Sequence, residues 1–266
     1  MIRRGFAVAI ALVVLAITPA GTVAEEAEHV TAQSAHTFTT VASPDTQIGG
    51  SLTDTATLAG AVNPTGTITF WLYLDPTCIG LLFTSTVTVS GNGSYTSAAF
   101  TPVIPGTYRW AAAYSGDANN TPAVSPCTAP NEDVLVTQAA PTITTTASPN
   151  TTPGGILTDT ATLAGGFNPT GTITFSLHGP NDPICFTPPI FTFNVPVAGN
   201  GSYTPPPFPA LLPGEYRWTA IYSGDFLNLP AVSPCNAPNE MTVVNPFPTS
   251  ITTVASPDVL IGGSSV

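Results

Sequence analysis

Gly106–Asp117 reads GTYRWAAAYSGD, and Gly214–Asp225 reads GEYRWTAIYSGD. In the first copy Tyr108, Trp110, Ala112 and Tyr114 occupy every second position, and Tyr216, Trp218, Ala220 and Tyr222 repeat them in the other. A period of two places such residues on one side of an extended chain, so they are expected to face a core, with Arg109 and Arg217 outward. Ser-Gly-Asp then ends the strand, because glycine supplies a positive φ and aspartate bonds the backbone that follows it. The stretch therefore predicts one strand and one turn, made twice, 108 residues apart.

Working outward, the duplication covers most of the chain. TTVASPDTQIGGSLTDTATLAGAVNPTGTITF from Thr39 matches TTTASPNTTPGGILTDTATLAGGFNPTGTITF from Thr144 at an offset of 105. GNGSYT and APNE recur at an offset of 108, so three extra residues lie between the two zones, in and after the loop carrying Cys78 and Cys185. A third copy starts with TTVASPDVLIGGSSV at Thr252. A period of about 105 residues is large enough to own a core and reads as a domain rather than a solenoid unit. Short β-branched and aromatic runs separated by Gly, Pro and Asn turns predict an all-β chain of tandem β-sandwich domains, with no helix outside a leader. The boundaries follow: signal peptide 1–24, linker 25–37, repeat one 38–137, linker 138–141, repeat two 142–245, and the truncated start of a third repeat at 246–266. Ile68, Phe70 and Leu72, with Ile173, Phe175 and Leu177, form a second core face. Asp54 and Asp159 share a face with apolar neighbours; a deeply buried carboxylate is costly, so both are expected near the rim, accepting hydrogen bonds from a loop or a tyrosine.

The opening MIRRGFAVAIALVVLAITPAGTVA has a basic start, an apolar stretch and small residues at its end, the pattern of a secretory signal peptide with cleavage expected after Ala24, or second after Ala20. No later run is long and apolar enough for a membrane span. Loss of Arg3 and Arg4 takes the formal charge from −11 to −13 and leaves Arg109 and Arg217 as the only basic side chains besides histidine, with no lysine. Binding to nucleic acid, which depends on clustered Lys and Arg, is excluded on that balance. A secreted or cell-surface location follows, where four cysteines are expected as disulfides. Cys78 and Cys127 lie 49 residues apart and Cys185 and Cys235 lie 50 apart, so the simplest pairing is within each repeat. In a sandwich of alternating strands the two loops fall at opposite ends, so Ser115–Pro130 must fold back along the sheet edge for the bond to close.

Little catalytic chemistry can be assembled. His29, His36 and His178 form no triad or zinc motif, and lysine chemistry is absent, so an enzyme is not expected. Asp117, Asn120 and Glu132 recur as Asp225, Asn228 and Glu240 and are candidate oxygen ligands for calcium, against the plainer reading of Ser-Gly-Asp as a turn; no other cofactor is expected. Trp71 and Tyr73 lie on the outward face of their strand where the second repeat has Ser176 and His178, and an exposed aromatic pair could stack on a sugar or anchor a protein. Asn92 and Asn200 sit in NGS sequons, although Gly-Asn-Gly reads first as a hairpin turn.

Through G-x-Y-x-W-x-A-x-Y-S-G-D, with GNGSYT before it and a cysteine after it, the chain resembles the bacterial Ig-like repeat family of secreted and surface proteins. The resemblance spans both complete repeats and the start of the third. It implies tandem immunoglobulin-like sandwiches acting as a stalk, spacer or adhesive module, with further Ig-like repeats in the same chain, and it carries no catalytic residue. It also implies alternatives: a protein or glycan partner at the cell surface, or accessory domains of a larger secreted enzyme. The cysteines sit in loops, so the inter-sheet disulfide of antibody domains is not expected.

Overall fold

A computed structural model describes residues 33–75 and 77–255. The expected leader with its cleavage site, and residues 256–266 of the third copy, lie outside them. All regular structure among the described residues is strand.

The first copy forms β1 (Thr37–Ala42), β2 (Thr46–Gln47), β3 (Asp54–Ala59), β4 (Thr67–Tyr73), β5 (Leu81–Thr88), β6 (Gly93–Thr96), β7 (Gly106–Tyr114), β8 (Ala123–Ser125) and β9 (Asp133–Thr137). One sheet has the order β1-β3-β6; the other runs β2-β9-β7-β4-β5, with β8 also on β7. The second copy repeats this with β10 (Thr142–Ala147), β11 (Ile156–Leu157), β12 (Asp159–Ala164), β13 (Thr172–His178), β14 (Phe191–Pro196), β15 (Gly201–Tyr203), β16 (Phe208–Pro209), β17 (Gly214–Tyr222), β18 (Ala231–Ser233) and β19 (Met241–Val244). There β10-β12-β15 is one sheet and β14-β13-β17 the other, with β18 and β19 both on β17. Each pair of sheets closes on its own core: Phe70, Trp110, Tyr108 and Tyr114 in the first, Phe175, Trp218, Tyr216 and Tyr222 in the second. The period-two reading of both aromatic strands and of the Thr-Ile-Thr-Phe strands is met in the burial pattern except at His178, which the period places outward but which is buried beside Leu177.

Two further expectations need correction. Asp54 and Asp159 are not at the rim; both are 0% exposed. The ladder continues past them, through Leu52 opposite Phe100 and through β11 opposite β16, and so covers the strand ends. Gly-Asn-Gly is not a hairpin turn, because β5 pairs with β4 while β6 pairs with β3, so the chain changes sheets there. Asn92 holds that corner, its amide bonding both the nitrogen and the oxygen of Ala61, and Asn200 does the same at Gly166.

Residues 138–141, the linker of the sequence reading, are held by hydrogen bonds from both sides. Thr137 still accepts a hydrogen bond from Ile48 in the first sandwich. Two residues later Ala139 donates to Leu227 and accepts from Leu229 in the second. Gln138 Nε2 donates to the carbonyls of Asp225 and Phe226 at 3.0 and 3.2 Å. Phe167 and Leu227 of the second sandwich pack on the core of the first, with the Phe167 ring against Gly49; a Cβ there would sit 3.1 Å from the ring. The chain before β1 repeats the docking: Ser34 donates to Asn119, and Gln33 Nε2 donates to the Asp117 carbonyl at 2.9 Å.

Candidate functional site

The turn after the aromatic strand is built around one carboxylate. Gly116 has φ +69°, and a Cβ there would meet Asn120 O at 2.8 Å, so only glycine allows so tight a bend. The bend aims Asp117 back at its own strand. Its Oδ2 accepts the Thr65 amide at 2.6 Å and the Tyr114 hydroxyl at 3.0 Å. Its Oδ1 accepts the amides of Asn119 and Asn120 at 2.8 and 2.9 Å, together with Asn120 Nδ2 at 2.8 Å. The Thr65 amide is the largest of the effects that hold Asp117 well below the usual carboxylate range. Burial, reinforced by the Asp117 charge, pushes the Tyr114 hydroxyl up to about 12. Asp225 repeats the arrangement: burial opposes ionisation, but the Thr170 amide and Asn228 outweigh it and keep the group acidic.

The proposed calcium ligands are therefore not one set. Asn120 is turned toward Val62, bonding both its amide and its carbonyl, as Asn228 does at Phe167. Glu132 lies elsewhere: its carbonyl accepts from Trp110, and the strand runs on from Trp110 to Tyr114 before the Asp117 turn begins, roughly 13 Å at ~3.3 Å per residue. Its carboxyl enters the core beside Thr40, and Glu240 enters beside Ser233. A cation at Asp117 would have to displace six donors, the Thr65 hydroxyl included, from a carboxylate that already satisfies the turn.

A second polar cluster escaped the sequence reading. Thr40 on β1 donates to Ser125 Oγ on β8 at 2.6 Å and contacts Glu132 Oε1. In the second sandwich Thr145 meets Ser233 at 2.6 Å, and Ser233 donates to Glu240 Oε1 at 3.1 Å. The signal was present as repeated hydroxyls, Thr40 with Thr145 and Ser125 with Ser233, but strand threonines are too common to single out. Beside this cluster a groove of about 460 Å³ runs between β10 and the loop after β18, lined by Ile143, Thr145, Val232, Ser233, Ala237 and Pro238.

Trp71 and Tyr73 are half-buried, on the face of β4 away from the core. At the matching positions Ser176 is half-buried and His178 is buried, with Nδ1 3.2 Å from Thr187 O and 4.0 Å from Asp182. Both disulfides form as paired by repeat, Cys78 with Cys127 and Cys185 with Cys235, at Cα separations of 6.4 and 6.0 Å. The fold-back that this pairing required is β8, which runs antiparallel along β7 from Tyr114 to Ala112 and returns Cys127 to the end of β4. A carboxylate organises the partner loop: the Thr77 hydroxyl foremost holds Asp75 down at about 2, and Thr187 does so for Asp182. The side chains that follow Cys78 and Cys185 point outward, Ile79 82% and Phe186 85% exposed.

No family model and no curated protein matches this chain. Among solved structures it is similar to a red sea bream transglutaminase, at 12% identity over 79% of this chain with a TM-score of 0.34. It spans about a third of that enzyme, 31% of its length. A marsupial T cell receptor is similar at 10% identity, covering 82% of this chain and 76% of the receptor, with a TM-score of 0.32. A Salmonella alpha-2-macroglobulin mutant is similar at 13% identity, 79% and 16% coverage, and a TM-score of 0.30. At such distances neither residues nor activities transfer. No helix among the described residues is long and apolar enough to cross a membrane.

Proposed function

We propose that the chain is an exported, non-catalytic stalk or spacer made of tandem immunoglobulin-like sandwiches, related to the bacterial Ig-like repeats of surface proteins. The observation that carries this reading is the hand-over at Thr137–Ala139, where the backbone leaves one ladder and enters the next with Gln138 alone between them, itself bonded through its side chain. Such a junction resists bending, which a spacer needs and a flexible tether does not. The strand order of the two sheets supports the sandwich type, and the disulfides are compatible with an extracellular location. An all-β surface with two outward arginines and no lysine supports a structural role over an enzymatic or nucleic-acid-binding one. Small-angle scattering on residues 25–255 should give one fixed end-to-end length, and Phe167→Ala with Gln138→Ala should broaden the distance distribution while both sandwiches still melt cooperatively. A broad distribution already in the wild type would remove the spacer reading.

A second reading, an adhesive module, is favoured by one asymmetry: Trp71 and Tyr73 present aromatic surface where the other repeat does not. Glycan-array or cell-binding signal that disappears in Trp71→Ala would favour it, and no binding by either protein leaves the spacer.

A further inference from the structure

Each sandwich encloses two acids with nothing of opposite charge beside them among the described residues. Asp54, Glu132 and Asp159 are 0% exposed and Glu240 is 1% exposed. Both oxygens of Asp54, Oε2 of Glu132, Oδ2 of Asp159 and Oε2 of Glu240 have no hydrogen-bond partner. The two arginines are spent elsewhere, Arg109 on Asp133 at 3.0 Å and Arg217 near Glu215 at 3.6 Å. His36 packs edge-on against Tyr114, and His178 lies beside Asp182. Two buried carboxylates cannot both stay ionised in such surroundings, since each loses its hydration and the Asp54 and Asp159 charges act on Glu132 and Glu240.

We infer that the Asp54–Glu132 and Asp159–Glu240 pairs each retain a proton at neutral pH and act as clasps, fastening the entering strand of a sandwich to its closing strand. The elements joined are those that carry load in a stalk. Thr40 lies on β1, whose ladder partner is β3 and whose Ala42 donates to Asn131 O, and Glu132 leads into β9, where the chain leaves; Thr145 and Glu240 hold the same places in the second copy, with Ala147 on Asn239 O. Thr40 Oγ1 bonds both Ser125 Oγ and Glu132 Oε1, so three segments are tied by one short chain of hydrogen bonds.

The groups facing Glu132 are the Thr40 hydroxyl from β1, Ser125 from β8, Asp54 from β3 and the neighbouring Asp133 from β9. Burial pushes Glu132 up to about 7, the Thr40 hydroxyl opposes this, and the charges of Asp54 and Asp133 add to it. Burial first, then Asp159, pushes Glu240 up to about 8. Burial likewise raises Asp54 and Asp159 to about 6; for Asp54 the amides of Thr55 and Val41 offset part of this without closing a well-aligned bond. All four folded values lie above the unfolded ones, so stability is full below about pH 4 and is lost as pH rises through the range of about 6 to 8. Asp75, Asp117, Asp182 and Asp225 are shifted the other way and lose their contribution only in acid, so the two sets separate above about pH 5.

The test is the melting temperature of the two-sandwich chain from about pH 5 to about pH 8.5, with chelator and with added calcium. The wild type should melt several degrees lower at the alkaline end; Asp54→Asn with Asp159→Asn should make the profile shallower, and adding Glu132→Gln with Glu240→Gln should flatten it. The infrared carbonyl stretch of a protonated carboxylic acid should be present at pH 7 and diminished in Glu132→Gln with Glu240→Gln. A flat wild-type profile, or absence of that infrared band, overturns the inference. So does a rise in melting temperature on adding calcium that the Asn variants lack, since a metal ion rather than a proton would then neutralise the pair.

Discussion

Reducing the two disulfides is expected to lengthen each mechanical unfolding step by about 170 Å and to destabilise each sandwich by about 4 kcal/mol. The length follows from topology. The chain enters the first sandwich at Thr37 and leaves at Thr137, and Cys78–Cys127 closes a 49-residue loop inside that span. Tension applied at the ends cannot extend the closed loop, and its release adds ~3.4 Å for each residue. The second sandwich hides a loop of 50 residues in the same way. The energy is the loop-closure entropy that a cross-link of this span removes from the unfolded chain. Force spectroscopy with and without reductant reads the step, and denaturant titration of Cys185→Ala with Cys235→Ala reads the energy for the second sandwich. Equal step lengths in both conditions would mean that the bonds do not form in the native protein and set no limit on its extension.

The parts of this architecture that could be read from residues are those written as periods. Tyr108, Trp110, Ala112 and Tyr114 alternate regardless of what lies across from them, so their burial could be stated beforehand. The disulfide pairing was legible for another reason: the offset of the repeats assigned one pair of cysteines to each copy. Asp54 was misplaced because its depth depends on a contact far along the chain, Leu52 opposite Phe100, which seals the end of the strand. Glu132 was grouped with Asp117 because both follow the same aromatic strand, yet the fold-back of β8 carries the chain along β7 before Glu132 is reached. The docked junction was hidden for a similar reason. Gln138 and Ala139 look like ordinary connecting residues until the Asp225 turn of the next sandwich arrives beside them. Nonlocal closure, not local preference, decides all three.

Trp110→Ala is expected to cost the first sandwich about 3–5 kcal/mol, the range for deleting a large buried aromatic, while leaving the second unchanged. Trp110 is 0% exposed and meets Phe70 and Phe83 edge-on at 6.5 and 6.2 Å. Its indole nitrogen has no hydrogen-bond partner, so the loss is one of packing alone. The cores are separate clusters, and calorimetry of the variant should split into two transitions, the upper one at the wild-type position of the second sandwich. Trp71→Ser is the control, since it gives the first copy the residue that the second already carries as Ser176 in a matching strand. That change removes a half-buried outward side chain and should cost within about 1 kcal/mol. A single merged transition for Trp110→Ala would show the junction at Phe167 to be strong enough to make the sandwiches unfold as one. A large cost for Trp71→Ser would show that its outward surface is part of the fold, and so is not free to meet a partner.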